Sequence, residues 1–188
     1  MLDPALARAT RLVALDVDGV LTDGGVFVGQ VGTESVEFKR FHVVDGIAMR
    51  ILRWTGFPLV LVSARPSAAT RARAAELQVD EVLEVGATEK LEALEAALAR
   101  RGVGLAECLF MGDDLADLPV LRAVGVPIAV ANAAPEVKRV ARYVTTAAGG
   151  AGAVREMTEW LLQARGEWAG VLATYFDLPD AARASSAR

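Results

Sequence analysis

Short, nearly continuous runs of Val, Leu and Ile recur along the chain at residues 12–17, 58–62, 81–85, 108–111 and 127–130. A brief run that is apolar at successive positions marks a strand covered on both faces. Between these runs the apolar positions take a helical spacing, at residues 47–54, 67–77, 88–100, 115–123 and 153–164. In the third of these, Leu91, Leu94 and Leu98 fall on one stripe. Start signals precede several of them: Asp45, Ser67, Asp114 and a glycine-rich stop at residues 149–152. Strands alternating with helices predict an α/β fold, a doubly wound (Rossmann-like) parallel sheet with helices on both faces.

One segment breaks the rhythm. Residues 20–38 carry Gly24, Gly25, Gly29 and Gly32 between alternating Val26/Val28 and Val36/Phe38. This reads as a β-hairpin inserted after the first strand. No repeat or linker is visible, so residues 1–179 are expected to form one domain and residues 180–188, small and polar, a disordered tail. The hairpin, one helix and one strand use up the chain between Asp18 and Ser63, which leaves no room there for a further domain.

Composition narrows the function classes. The chain has 188 residues, 53% of them hydrophobic, which suits a globule with a substantial core. Its net charge of -4 gives no basic footprint, which argues against a nucleic-acid partner. The lone Cys108 excludes an internal disulfide and fits a cytoplasmic protein; it sits in an apolar run and reads as a core residue. Asp3 and Pro4 stand where a secretory signal needs a basic, then apolar, start. No apolar run reaches membrane-span length, so no membrane partner is expected.

Ligands of open α/β sheets bind beyond the carboxyl ends of the strands. Those ends carry Asp16-Val17-Asp18-Gly19, Ser63-Ala64-Arg65, Thr88-Glu89-Lys90 and Gly112-Asp113-Asp114-Leu115-Ala116-Asp117. In extended chain Asp16 and Asp18 point to one side. With Asp113 opposite, such carboxylates repel unless a cation neutralises them, and an oxygen-only donor set favours Mg²⁺ over zinc. Lys90 lies in the first turn of its helix, where the dipole disfavours a cation unless an anion meets it. Ser63 offers a hydroxyl to a phosphoryl oxygen. Each piece alone has a plainer reading: a solvated turn, a helix cap, a surface lysine. Four in order, each at a strand end, point to phosphoryl chemistry.

These residues resemble the four motifs of the haloacid dehalogenase superfamily: Asp16-x-Asp18-Gly19-Val20-x-Thr22, Ser63, Lys90 and Gly112-Asp113-Asp114-x-x-Asp117. Phe38-Lys39-x-Phe41 before Asp45-Gly46, Arg65 with Arg73, and the stretch from Gly149 to Glu156 extend the likeness to the capless subfamily of the 3-deoxy-D-manno-octulosonate 8-phosphate phosphatases. The resemblance implies a Mg²⁺-dependent phosphatase that hydrolyses a phosphorylated 2-keto-3-deoxy sugar acid in lipopolysaccharide biosynthesis. Asp16 is then the nucleophile, forming an aspartyl phosphate, and Asp18 the general acid and base. Magnesium is held by Asp16, the backbone carbonyl of Asp18 and Asp113, with Asp114 or Asp117 in support. Lys90 and Ser63 balance charge on the phosphoryl oxygens.

Arg65, Arg73 and Arg155 are the candidates for the substrate carboxylate, since guanidinium forks grip carboxylates; surface ion pairs are the competing reading for each. His42, without a second histidine or a cysteine cluster, is read as structural. The resemblance also implies a homotetramer with neighbours closing each site, and the hairpin and residues 168–176 are the candidate contacts. Two departures, Ala64 where the family has Gly and the segment 85–89, leave the sugar open. The alternatives are a nine-carbon sugar acid 9-phosphate (sialic or ketodeoxynononic) and, from another class, a phosphoacceptor signalling domain.

Overall fold

The computed structural model describes residues 1–177. The residues 180–188 that read as a tail lie outside that range. Six parallel strands form the central sheet: β1 (Leu12–Leu15), β4 (Leu59–Ser63), β5 (Glu81–Glu84), β6 (Cys108–Gly112), β7 (Val126–Ala129) and β8 (Tyr143–Val144), in the order β5-β4-β1-β6-β7-β8. β2 (Phe27–Val31) and β3 (Glu34–Phe38) form a separate antiparallel hairpin, the insertion after the first strand. Every residue of β1, β4 and β6 is buried, which is why those runs are apolar without alternation. β5 is half-buried throughout, as an edge strand should be.

Among the described residues eight helices link and flank the strands: α1 (Pro4–Ala9), α2 (Val43–Trp54), α3 (Ala68–Leu77), α4 (Lys90–Ala99), α5 (Leu118–Ala123), α6 (Pro135–Val140), α7 (Ala153–Arg165) and α8 (Trp168–Tyr175). Right-handed crossovers put α2 and α3 on one face of the sheet and α4, α5 and α6 on the other. α7 packs along α2 and α1 and closes the first face. No helix is long and apolar enough to cross a membrane, among the described residues.

The departures from the sequence reading have local causes. β1 stops at Leu15, not at residue 17, because the Val17 carbonyl turns into the following loop and accepts from Leu21 and Thr22 N–H at 3.0 and 3.1 Å. α2 starts at Val43, so Asp45 is inside its first turn and does not cap it. Its buried carboxylate caps α7 instead, accepting from Gly152 N at 3.0 Å and Arg155 N at 2.9 Å. Ser67 and Asp114 do cap the turns they precede, accepting from Thr70 N and Leu115 N. Residues 115–123 divide into a 3₁₀ turn and a short helix, with Pro119 at its start.

Candidate active site

The sheet order reverses at β1, between β4 and β6, and the chain leaves β1 into the site there. Asp16 is still tied to the sheet, its N–H donating to Met111 O at 3.0 Å, and its side chain is buried. Gly19 then takes φ +100°, and a Cβ built on it lands 2.0 Å from Asp113 Oδ2, so no other residue fits. Thr22 braces the loop: its buried hydroxyl accepts from Gly19 N at 3.3 Å and Gly24 N at 3.2 Å. Gly149 and Gly150 press backbone to backbone on it; a Cβ on Gly149 falls 1.6 Å from Gly19 O. Asn132 Oδ1 holds Gly149 N at 2.8 Å. Thus the glycines that read as a stop before α7 are a buttress for the Asp16–Asp18 loop.

Opposite, the end of β6 delivers Asp113 and Asp117. Asp117 accepts from the N–H of Asp113 at 2.9 Å and of Asp114 at 3.4 Å through Oδ2. Its Oδ1 accepts from Lys90 Nζ at 2.8 Å, and Lys90 donates also to Asp16 Oδ1 at 2.6 Å. This chain of bonds links the ends of β1 and β6 to the first residue of α4. Asp114, exposed, caps the 3₁₀ turn.

Asp16, Asp18, Arg65, Lys90, Asp113 and Asp117 line a cavity of about 230 Å³, with Val26 of the hairpin stem at its edge. A larger hollow of about 410 Å³ lies at the opposite edge of the sheet, among Arg8, Arg11, Arg101 and Arg165, and contains none of these groups. Ser63 is buried at the end of β4, its hydroxyl accepting from Arg65 N at 3.1 Å and donating to Arg65 O at 3.0 Å. Arg65 is exposed and pairs with Glu37 of β3. Arg73 lies outside the cavity, paired with Glu76 at 2.7 Å and set 5.9 Å over the Phe41 ring. Arg155 also lies outside the cavity lining, bound to Glu159 at 2.5 Å and stacked 5.2 Å over Trp168. Within one chain, then, only Arg65 of the three arginines joins the cavity.

Lys39, which the sequence reading quoted but gave no role, sits beside Asp18 with its side chain wholly buried. It was hard to find by residue type, because a lysine at a strand end reads as a surface charge. His42 lies outside the cavity lining, 3.8 Å from Asp45.

The profile of the haloacid dehalogenase-like hydrolases matches residues 81–157. The 3-deoxy-D-manno-octulosonate 8-phosphate phosphatase of Escherichia coli K12 is 37% identical over 163 residues, 87% of this chain and 85% of that protein. The chain belongs to this family of haloacid dehalogenase-like phosphatases. The crystal structure of the Moraxella catarrhalis phosphatase of the same name, in complex with magnesium ion, phosphate ion and KDO, covers 92% of this chain and 97% of its own at a TM-score of 0.86 and 35% identity. The cobalt-bound Haemophilus influenzae deoxy-D-mannose-octulosonate 8-phosphate phosphatase covers 86% and 92%, at a TM-score of 0.79 and 34% identity. The signalling-domain alternative falls with this membership.

As in any phosphatase of this family, the site must hold anions against anions, and its electrostatics show the strain. Burial, reinforced by Asp117, pushes the Asp16 carboxyl well above the usual carboxylate range, with Lys90 pulling it back. Burial, with the charges of Asp117 and Asp114, pushes Asp113 up to about 7. Burial pulls Lys90 down, but Asp16 and Asp117 outweigh it and raise its pKa. Three carboxylates against one ammonium leave room for a divalent cation. Carboxylate oxygens of Asp16, Asp113 and Asp117 lie within 4.8 Å of one another. Both oxygens of Asp117 already accept hydrogen bonds, so Asp117 acts as a brace, and Asp16 and Asp113 are the carboxylates with capacity for the metal. An oxygen-only set of this kind fits Mg²⁺.

Proposed function

We propose that this phosphatase hydrolyses 3-deoxy-D-manno-octulosonate 8-phosphate to the free sugar acid and inorganic phosphate, with Asp16 as nucleophile. The observation that carries the reading is a Lys90-braced Asp16 facing Asp113 in a cavity whose rim carries Arg65. It is supported by the names and cofactor of the relatives aligned over most of their length.

Each residue then has a task that its position supports. Asp16 is fixed by the sheet on one side and by Lys90 on the other, which aims its free oxygen at phosphorus for in-line attack. As that bond forms, the phosphorus–oxygen bond to the sugar breaks, and Asp18 gives its proton to the leaving oxygen. Asp18 next takes a proton from the water that releases phosphate from Asp16. Lys90 spreads positive charge over the phosphoryl group; Ser63, expected to share that task, lies outside the cavity lining with its hydroxyl tied to the Arg65 backbone, and holds the turn that carries Arg65. Asp16, Asp113 and the Asp18 carbonyl would hold Mg²⁺, which would supply Lewis-acid stabilisation of charge on the phosphoryl oxygens. Arg65 meets the carboxylate of the sugar acid.

We assign the working form as a homotetramer. Phe27, Val28, Val31 and Phe38 of the hairpin are all exposed, an apolar surface that a neighbouring subunit would cover. The buried, free Cys108, its thiol pushed up to about 12 by burial, suits the reducing cytoplasm where we place the enzyme.

The test is a substrate panel assayed with Mg²⁺: the octulosonate 8-phosphate, nine-carbon sugar acid 9-phosphates and hexose phosphates. The highest kcat/KM is expected for the first. A clear preference for a nine-carbon acid moves the assignment to that substrate, and a preference for hexose phosphates overturns the sugar-acid reading.

A further inference from the structure

Lys39 carries its charged group away from the surface. It leaves the end of β3 at the root of the hairpin, and its side chain is fully buried. Its ammonium lies 2.7 Å from Asp18 Oδ1 and 2.9 Å from Oδ2, with hydrogen-bond geometry to the second. The same nitrogen lies 3.3 Å from Thr70 Oγ1, in the first turn of α3, and 3.8 Å from Glu37. Asp18 Oδ1 is buried and has no hydrogen bond of its own. The carboxylate of Asp18 therefore has one strong partner, and that partner is held in turn by α3. Burying an ammonium is costly unless it is paired, so the arrangement is not a chance surface contact.

Asp18 must be aimed at one particular substrate atom, the bridging oxygen of the leaving alcohol. A carboxylate on a loop can rotate about its side-chain bonds, and a proton donor that is misaimed donates poorly. We propose that Lys39 is a positioning residue for proton transfer by Asp18, fixing that carboxyl toward the leaving-group oxygen, with Thr70 as the post that fixes Lys39. This rests on the reading of Asp18 as general acid.

In the step concerned, an Asp16 oxygen forms the new bond to phosphorus. The electron pair of the old phosphorus–oxygen bond goes to the leaving oxygen, and that oxygen takes the Asp18 proton. Proton donation matters in proportion to the basicity of the leaving oxygen. A 4-nitrophenolate leaves well without it, whereas an alkoxide does not. Loss of Lys39 should therefore act selectively, on poor leaving groups.

The experiment measures kcat/KM with Mg²⁺ for 4-nitrophenyl phosphate, phenyl phosphate and a simple primary alkyl phosphate, in wild type, Lys39→Met, Thr70→Val and Asp18→Asn. None of these substrates has a carboxylate, so Arg65 does not enter the comparison. For the alkyl ester, Lys39→Met should lose roughly 10- to 100-fold, a part of the 10²–10⁴ that a general acid supplies. The 4-nitrophenyl ester should lose no more than about threefold, so that the dependence on leaving-group basicity steepens. Asp18→Asn should steepen it further, and Thr70→Val less, in the same direction. Should Lys39→Met fail to fold, Thr70→Val carries the test, because it removes only the hydroxyl. Equal losses across the three esters in Lys39→Met, beside a steepened series in Asp18→Asn, overturn the proposal and leave Lys39 a structural ion pair. An unsteepened series in Asp18→Asn removes the general-acid reading itself, and the proposal with it.

Discussion

The floor of the cavity and its rim are built in opposite ways. On the floor, Asp16, Lys90 and Asp117 are all buried, and the bonds among them run between two central strands and a helix start. On the rim, Arg65 is exposed and pairs with Glu37 of a hairpin whose own apolar side chains face outward; Phe27 is 60% exposed and Val28 70%. Charges on the floor interact at low dielectric and cannot be spared one by one, whereas rim charges are screened and exchangeable. The floor therefore suits chemistry common to every phosphate monoester, and the rim suits the choice among them. It follows that variation in substrate within such a scaffold should fall on the rim first.

Breaking the floor should have the largest effects. Asp16→Asn is expected to keep the fold and lose turnover by at least about 10⁴-fold, checked by steady-state assay beside circular dichroism. Substantial remaining activity would remove Asp16 as nucleophile. Asp117→Ala strips Lys90 of one partner and leaves two backbone N–H groups unpaired. A loss of about 3 kcal/mol is expected by denaturant unfolding, since one side of a buried pair is being removed. A change under 1 kcal/mol would mean that the floor is as tolerant as the rim.

The rim should yield smaller and more selective losses. Arg65→Ala is expected to cost about 1.5–3 kcal/mol in kcat/KM for the carboxylate-bearing sugar phosphate, ten- to a hundredfold, and little for an aryl phosphate. Arg155→Ala, from a residue in a half-buried pair with Glu159 outside the cavity lining, should leave both substrates within about threefold, in keeping with the small worth of solvent-accessible pairs. A loss for Arg155→Ala as large as for Arg65→Ala would bring it into the site from a neighbouring subunit.

The last prediction concerns pH and metal. Asp113 is raised to about 7 in the metal-free fold, against 3.8 as its ordinary value. The fold thus holds this proton more tightly than the unfolded chain. Its contribution to stability is full below 3.8 and is lost as pH rises through about 7. A cation on Asp113 must displace that proton, so Mg²⁺ affinity should weaken by up to tenfold per pH unit below about 7. Titration calorimetry at several pH values checks this, and an affinity flat from pH 5 to 8 (roughly the working range of such a titration) would remove Asp113 from the ligand set.

How far the sequence reached differs by element. The buried strands were legible because an all-apolar run has one good explanation in an α/β chain, and Asp16, Lys90 and Asp113 because each lies in the segment at the carboxyl end of such a run. Lys39 was not legible as a partner of Asp18: the two are 21 positions apart, and a charge near a turn usually meets water. Asp45 carried the signature of a helix start and was spent on another helix 107 residues away. Gly149 and Gly150 looked like a terminator and serve a close backbone approach.

By itself, then, the sequence determined the class of fold, the hairpin insertion and which acidic and basic residues gather at the strand ends. Local periodicity and strand-end chemistry are properties of neighbours along the chain. Only the tertiary structure decided which arginine reaches the cavity, that Asp117 is a brace between Lys90 and the Asp113 backbone, and which lysine holds Asp18. Each of those depends on groups brought together across the sheet, where low dielectric makes a partner obligatory and no spacing along the chain records who that partner is.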